Sequence, residues 1–331
     1  MGLLINDNRL NEIIKSVILE YSGVSDDVLS ISKRIRDKAL EFLNGNEYDS
    51  IVKWKEECLD FGINQMFPGG DINQMPLTDV DINKYRKSFW VSGIEDLEHM
   101  ISHVNIHAYG YNMLDVEREN YVVGFLTSHI QSNGKYYGYY NPKGRYIVLT
   151  IPCGIDPRNG SVHIGSTSLS FINHEVKHAY QHYKGGCGLT RDEIYNISNT
   201  HGDVESESKV IDKLGLSIDS IKYAYYMFSL GELDAFLQQI YLELTEKGCM
   251  LEQSWSYLNV KSARDIYSRI YEFYTTRKYS YAIRFIFKKI YGADVLDRYI
   301  SHCQKGIKYF DEHLRRIIGR VNSEHPEQKL F

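Results

Sequence analysis

Hydrophobic residues recur every three or four positions through the first sixty residues of the chain, which is the period of an amphipathic α-helix. The pattern predicts one helix over residues 4–21, a second over residues 25–43 and a third over residues 48–61. The second begins with Ser-Asp-Asp, a sequence that is typical of a helix N-terminus. A fourth helix is predicted over residues 94–104.

Residues 67–85 interrupt this helical pattern with two of the six prolines and with two adjacent glycines. Prolines and glycines of this kind mark a loop or a boundary between two parts of a chain. We therefore expect a helical N-terminal region over residues 1–90 and a second region over residues 91–331.

The pattern changes beyond residue 120, where short stretches rich in tyrosine, valine and isoleucine are separated by turn sequences that contain asparagine and glycine. These stretches predict β-strands over residues 121–127, 135–140 and 145–151, and a last, short strand over residues 161–165. We expect the strands to form a small antiparallel sheet.

A helix is predicted after the last strand, and it contains the sequence FINHEVKHAYQHYKGGC at residues 171–187. Hydroxyl residues at 166–168 are suited to cap its start, and two glycines follow its end. From residue 218 onward the pattern is helical again. The chain is therefore expected to have an α+β fold, in which a small sheet and this helix are flanked by helical N- and C-terminal parts. The apolar stripe of the helix consists of Leu169, Ile172, Val176, Ala179 and Tyr183.

Composition and charge restrict the class of protein. Of the 331 residues 43% are hydrophobic, the mean hydropathy is −0.37 and the net charge is −5, which favours a soluble globular protein without a nucleic-acid partner. No apolar run approaches the roughly 18 residues of a membrane span, and the first residues lack the features of a secretory signal. The five cysteines are scattered without a Cys-x-x-Cys pair, which indicates a reducing compartment. We expect a cytoplasmic protein without a membrane partner.

The sequence His-Glu-Val-Lys-His at residues 174–178 is typical of a metal-binding helix. Histidines four residues apart project from one face of a helix, about 6 Å apart along its axis, and can bind one zinc ion at about 2.0–2.1 Å. Glu175 lies at the edge of that face, where its carboxylate can accept a proton from a zinc-bound water without binding the metal. The sequence therefore predicts two ligands, His174 and His178, and one general base.

Other histidines repeat the same spacing. His182 lies about 12 Å along the axis from His174, too far for one straight helix to place all three histidines on one ion. We therefore interpret His182 as a residue that supports the site from outside the ligand set, or as a surface residue. An earlier series with the same spacing lacks an adjacent base, and we interpret it as structural. It consists of His99, His103 and His107.

The third ligand has to come from elsewhere in the chain, because Gln181 and Lys184 stand where an extended HExxHxxGxxH motif would require other residues. The best candidate is Glu232 in SLGELDAFLQQ, since Ala235 follows it by one helical turn and permits close helix packing. Glu205 is the alternative, and it lies nearer in sequence to the two histidines.

Glu232 also has an interpretation without a metal. With the serine three residues before it, Glu232 fits a capping box, in which its carboxylate would fold back on the start of its own helix.

Together, HEVKHAYQ and the later GELDAFLQQ resemble the gluzincin clan of zinc metallopeptidases, over about residues 161–247. The closest match is to small proteins with HExxHAYQ and ExxAYxxQ, from which this chain departs at Phe236, where that pattern has tyrosine. The resemblance implies a zincin-like fold and one zinc ion bound by His174, His178 and Glu232. It also implies hydrolysis of peptide or protein substrates, with Glu175 as the general base.

Two features of the expected peptidase are less specified by the sequence. The charge that develops on the substrate oxygen needs a stabilising group, for which the candidates are His201, Tyr180, Tyr223 and Tyr225. The strand around residues 162–164 is the candidate edge for pairing with an extended peptide substrate.

A rival hypothesis retains the fold without catalysis. Residues 4–17 resemble a short N-terminal segment of many predicted proteins of gut bacteriophages. The rival is a catalytically silent zincin-fold protein that is structural or binds a partner, for instance a component of a phage particle. In that case the N-terminal helix is the expected contact for a phage or self-assembly partner. A second rival is a helical interaction module that binds no metal.

Overall fold

The computed structural model describes residues 24–45, 48–62, 81–94, 97–113, 122–126, 138–184, 215–277, 280–291 and 295–326. The chain forms two compact units. One consists of residues Asp26–Tyr183, and the other consists of Met1–Ser25 together with Lys184–Phe331. The fold is α+β, as the sequence predicts, because a small sheet lies in the first unit and helices occur in both.

Two helices open the first unit, and both confirm the sequence prediction. Helix α1 covers Asp26–Asn44 and helix α2 covers Asp49–Leu59. Acidic residues occupy the first turn of α1, where a carboxylate is favoured by the helix dipole. The apolar residues of α1 recur at helical spacing and are buried, so that one face of the helix lies in the core. They are Val28, Ile31, Ile35, Ala39 and Leu43.

The five strands are β1 (Arg86–Val91), β2 (His103–Asn112), β3 (Gly138–Asn141), β4 (Tyr146–Ile155) and β5 (Val162–His163). Their order is β1-β2-β4-β3, and β5 also pairs with β4. Strands β2 and β4 are parallel, whereas the other pairs are antiparallel. The sheet is therefore mixed, and the prediction of an antiparallel sheet was wrong. The long connection from β2 to β4 allows the crossover that a parallel pair requires.

Two further predictions in this region were wrong, and one strand was not predicted. Residues 98–100 form a turn and β2 begins at residue 103, where a helix was predicted over residues 94–104. The strand that was not predicted is β1, which follows a short 3₁₀ helix (Ile82–Tyr85) at the end of the predicted loop. Residues 122–126 are helical, where a strand was predicted.

The spacing of the earlier histidine series explains the first of these errors. A spacing of four residues fits one face of a helix and also one face of a strand, since side chains alternate with a period of two in a strand. In β2 the residues that alternate with the histidines favour a strand, because Val104, Ile106 and Ala108 are buried while His103 and His107 are half-buried.

Helix α3, over Ser166–Tyr183, follows β5 and completes the first unit. It packs against α1, β3 and β4. A buried hydrogen bond joins it to α1, in which Asn173 Nδ2 donates to Ser32 Oγ at 3.2 Å. Both residues are fully buried, so this polar contact fixes the register of the two helices.

The second unit is helical from residue 218 onward, which confirms the prediction. Its helices are α4 (Ile218–Met227), α5 (Leu230–Glu246), α6 (Trp255–Thr275), α7 (Ser280–Tyr291) and α8 (Val295–Glu324), with a 3₁₀ turn at Leu251–Gln253. Helix α5 is the core of this unit, since its residues 233–244 are all buried. Buried Glu243 accepts hydrogen bonds from Ser254 Oγ, Ser256 Oγ and Ser256 N, which ties the C-terminal part of α5 to the start of α6.

Within the described residues, no helix is long and apolar enough to cross a membrane. The helix predicted over residues 4–21 and most of the loop predicted over residues 67–85 lie outside the described residues.

Candidate metal centre

Helix α3 carries His174 and His178 on one side, and its opposite side lies in the core. Leu169, Ile172, Val176 and Ala179 are at most 1% exposed, as the predicted apolar stripe requires. Tyr183, the last residue of that stripe, departs from the prediction because it lies at the end of the helix and is 50% exposed. His174 and His178 are both half-buried.

The imidazole rings of His174 and His178 converge. Their Nε2 atoms lie 3.2 Å apart, and the ring planes are inclined at 80°. Two ring nitrogens this close can bind one ion without a change in backbone conformation. The spacing of four residues therefore brings the two rings together on one face of the helix, and their role as ligands stays a prediction.

Glu232 is the third member of the group. Among the residues that the structure describes, His174, His178 and Glu232 make up a group of side chains that could hold a metal ion. Glu232 is half-buried in the first turn of α5, and Ala235, one turn later, is fully buried. Glu205, the alternative ligand, lies outside the described residues.

The capping-box interpretation of Glu232 finds no support at the helix start. Ser229 is the N-cap residue of α5, but its side chain makes no capping hydrogen bond. Its hydroxyl is buried without a hydrogen-bond partner among the described residues. The carboxylate of Asp234, two residues after Glu232, accepts a hydrogen bond from Tyr309 Oη at 3.4 Å.

Glu175 occupies a different environment from the two histidines. It is 8% exposed, and its side chain packs against the backbone of Gly138 in strand β3. A Cβ atom at position 138 would lie 2.6 Å from Glu175 Cγ and 3.0 Å from Glu175 Oε1. The absence of a side chain at Gly138 therefore permits the carboxylate to lie against this strand.

Gln181 contacts one of the histidines, a contact that the sequence reasoning missed. Its Oε1 atom lies 3.2 Å from His178 Nδ1, and the glutamine is only 4% exposed. In the sequence, Gln181 indicates only that the extended histidine motif is absent. The available signal was its position three residues after His178 on a helix, since residues at that spacing lie side by side.

His182 and Tyr180 make other contacts within the first unit. His182 is exposed, and its Nδ1 atom lies 3.1 Å from Tyr140 Oη. Tyr180 Oη donates to Asp27 Oδ2 at 3.5 Å. Both side chains are therefore tied to neighbouring elements of this unit.

The remaining candidates for stabilising an oxyanion were two tyrosines on α4 and one histidine. Tyr223 Oη donates to Asn259 Oδ1 at 3.1 Å, and burial raises the pKa of Tyr223 to about 12, so its hydroxyl stays protonated at neutral pH. The ring of Tyr225 stacks on His302, with ring centroids 4.1 Å apart. His201 lies outside the described residues.

The edge of the sheet differs from the prediction. Strand β5 has a second partner, because the side chain of Asn44 accepts from Val162 N at 2.8 Å and donates to Val162 O at 3.2 Å. An extended peptide cannot use the same two groups, so residues 162–164 are not the free edge that was predicted. Among the described strands, β3 is an edge strand whose one partner is β4.

The earlier histidine series takes part in contacts within the sheet. His107 Nδ1 lies 2.8 Å from Ser88 Oγ, and the ring of His103 lies between the rings of Trp90 and Tyr146, at 5.3 Å from each. These contacts are consistent with the structural interpretation of that series.

Comparisons with protein-family models, with curated proteins and with solved structures found no match to this chain. The residues of this site and their chemistry are therefore the indication of a function that this chain offers.

Proposed function

We propose that this protein is a zinc-dependent metallopeptidase of the gluzincin type with a zincin-like fold, in which His174, His178 and Glu232 hold one zinc ion. The observation that carries the proposal is that the Nε2 atoms of His174 and His178 lie 3.2 Å apart, and Glu232 completes with them a group of side chains that could hold a metal ion. Two of them belong to the HExxH motif, and the third was expected from a separate segment of the sequence.

The donor set fits zinc. Imidazole nitrogen and carboxylate oxygen are both common zinc ligands, and three protein ligands leave the fourth, open position of a catalytic site. At bond lengths of about 2.0–2.1 Å, two nitrogens in tetrahedral geometry lie about 3.3–3.4 Å apart. The Nε2 atoms of His174 and His178, at 3.2 Å, are close to that separation.

Zinc, when bound, supplies a Lewis acid that polarises the substrate carbonyl and acidifies water. Glu175 supplies the proton transfer, since its carboxylate accepts a proton from the attacking water and returns it to the leaving amine. An intact Glu175 supports a catalytic role, because a metal site kept only for structure does not require this residue.

Strand β3 supports a peptide as the substrate. As an edge strand it can pair with an extended chain through backbone hydrogen bonds, which are independent of the side chains of the substrate. Glu175 packs on Gly138 at the start of this strand, so a peptide paired with β3 would pass close to the general base.

Zinc content and peptide cleavage test the proposal. We expect purified protein to contain one zinc ion per chain by elemental analysis and to cleave members of a peptide library. Glu175→Gln should retain zinc while cleavage falls by about 10²–10⁴-fold, the usual contribution of a general base. Glu232→Ala should lose zinc, whereas the matched variant Glu205→Ala should retain it.

The outcomes separate the alternatives. Loss of zinc in Glu205→Ala but not in Glu232→Ala would show that the third ligand is wrongly assigned. Stoichiometric zinc with no cleavage of any peptide would favour a catalytically silent zincin-fold protein. Wild-type protein without bound metal would favour the interaction module.

A further inference from the structure

We propose that Gln181 is a positioning residue, which fixes the tautomer of His178 and thereby sets the affinity of the site for zinc. This inference rests on the proposed zinc site. It assigns a function to a side chain that is neither a ligand nor a proton carrier in the proposed reaction.

The direction of the hydrogen bond follows from its acceptor. A carbonyl oxygen carries no proton, so at the contact of 3.2 Å the Nδ1 atom of His178 has to be the donor and Gln181 Oε1 the acceptor. A neutral imidazole carries one proton. With that proton on Nδ1, the lone pair of His178 is on Nε2, the atom that lies 3.2 Å from His174 Nε2.

The same contact restricts the orientation of the ring. Gln181 lies on the same helix as His178, three residues later, and a backbone with fully buried Val176 and Ala179 holds both residues in place. Because Gln181 is only 4% exposed, water competes little with this hydrogen bond. The His178 ring therefore does not have to be reoriented when an ion binds.

The effect of the Gln181 acceptor on zinc affinity depends on whether the acceptor is neutral or charged. Metal-binding histidines commonly donate their second ring nitrogen to a carboxylate, a backbone carbonyl or water, and loss of such a partner typically lowers metal affinity by about 10–100-fold. A glutamine amide is neutral, so it orients the ring without adding a negative charge. A carboxylate at position 181 should raise the basicity of the imidazole and bind zinc at least as tightly.

Two substitutions at position 181 test the proposal through zinc affinity. We expect Gln181→Met, which has a similar volume but no strong acceptor, to bind zinc about 10–100-fold more weakly in competition with a chromophoric chelator. Gln181→Glu should restore the affinity at least to that of the wild type.

A matched control separates this effect from the loss of a buried amide. Gln238 is 1% exposed and its amide bonds to the backbone of Ser25 through both Oε1 and Nε2. We expect Gln238→Met to lower stability without changing zinc affinity by more than about twofold, because these hydrogen bonds involve no proposed ligand.

The tautomer itself can be measured without metal. Long-range proton–nitrogen correlation spectra of protein with ¹⁵N-labelled histidine, at a pH where the imidazoles are neutral, should show His178 protonated at Nδ1. In Gln181→Met this preference should be lost, and in Gln181→Glu it should return.

These results distinguish failure of the inference from failure of the proposed function. A wild-type protein that binds no zinc contradicts the zinc site, while the spectra still decide the role of Gln181. Zinc affinity and His178 tautomer that are both unchanged in Gln181→Met would overturn the inference. If Gln181→Met does not fold, a wild-type His178 protonated at Nε2 would overturn it equally.

Discussion

At the scale of single residues, the most restrictive contact is the one between Glu175 and Gly138. The carboxylate of a general base has to approach the reacting atoms within hydrogen-bond distance, so a displacement of about 1 Å already matters. Gly138 accommodates the Glu175 side chain where any larger residue would have a Cβ atom 2.6 Å from Glu175 Cγ. The position of the proposed base therefore depends on a residue in another element.

Gly138→Ala tests this dependence. We expect peptide cleavage to fall at least about tenfold, because the new methyl group displaces the Glu175 carboxylate by a distance comparable to 1 Å. Zinc content should not change, since the atoms nearest to the new methyl group belong to Glu175, which is not one of the proposed ligands. Kinetic assays and elemental analysis of the purified variant measure the two effects.

Gly319→Ala is the matched control, because a Cβ atom at this position in α8 has no atom within 4 Å. Its activity should equal that of the wild type. Full activity in Gly138→Ala would show that the Glu175 carboxylate does not have to lie against strand β3.

Residues within one helix were the part of the site that could be predicted from the sequence. The geometry of His174, Glu175 and His178 follows from a local spacing, and Gln181 was within reach of the same argument. Gly138 was not, because nothing in its local sequence indicates which side chain will lie against it. That contact depends on the pairing of β3 with β4 and on the packing of α3 against β3.

At the scale of secondary-structure elements, the helices were predicted more reliably than the sheet. Helices α1, α2 and α3 each have their buried residues at helical spacing within one continuous segment of the sequence. The strand prediction failed where one pattern fits two periods, as in β2, and where pairing is non-local, as in the parallel pair of β2 and β4. The direction of a strand is set by the connection that leads to it, which residue patterns do not specify.

Strand β5 illustrates how a side chain completes an element. This strand has only two residues, too few for a stable pairing by itself. Asn44, the last residue of α1, adds two hydrogen bonds to the backbone of Val162 and so holds β5 from the side away from β4. The end of a helix thereby replaces a neighbouring strand.

Asn44→Ala should therefore destabilise the protein by about 1–3 kcal/mol, because partly buried N–H and C=O groups of Val162 lose their partner. Asn44→Asp, which retains the acceptor for Val162 N but loses the donor to Val162 O, should have a smaller effect. Urea unfolding followed by circular dichroism measures both.

The exposed residue Asn322 on α8 provides the control for the loss of an asparagine side chain, and Asn322→Ala should change stability by less than about 0.5 kcal/mol. An equally small effect of Asn44→Ala would mean that these hydrogen bonds contribute nothing to holding β5.

At the scale of the whole molecule, the proposed ligand set comes from distant parts of the sequence. In the sequence, 53 residues lie between His178 and Glu232. The second segment could be proposed from its own pattern, a carboxylate followed after one turn by a small residue. The choice between Glu232 and Glu205 as the third ligand depends on the tertiary structure, because the spacing of residues within one helix does not determine it.

The pH dependence of unfolding is also a property of the whole molecule, and one half-buried histidine in the second unit should contribute to it. His302 on α8 donates from Nε2 to Tyr225 O at 3.0 Å and stacks on the Tyr225 ring. Burial lowers the pKa of His302 below its ordinary value of 6.5, and the charge of Lys305 acts in the same direction, against the opposing effect of the hydrogen bond to Tyr225.

The folded protein favours the neutral form of His302, so His302 makes the protein less stable as the pH falls. At pH values between the lowered pKa of folded His302 and 6.5, the unfolded chain binds the proton and the folded protein does not. The contribution of His302 to the free energy of unfolding is therefore complete above pH 6.5 and is lost as the pH falls through the folded pKa. His302→Gln removes the titrating group, so its free energy of unfolding should decrease less than that of the wild type between pH 7 and pH 5.

Urea unfolding at a series of pH values measures this difference as a change in slope, which is independent of any overall stability lost through the substitution. The exposed Asn322 on α8 provides the control, because Asn322→Ala removes no titrating group and should retain the wild-type slope. Equal slopes for His302→Gln and the wild type would mean that His302 has the same proton affinity in the folded and the unfolded chain, and that its packing against Tyr225 is insensitive to its charge.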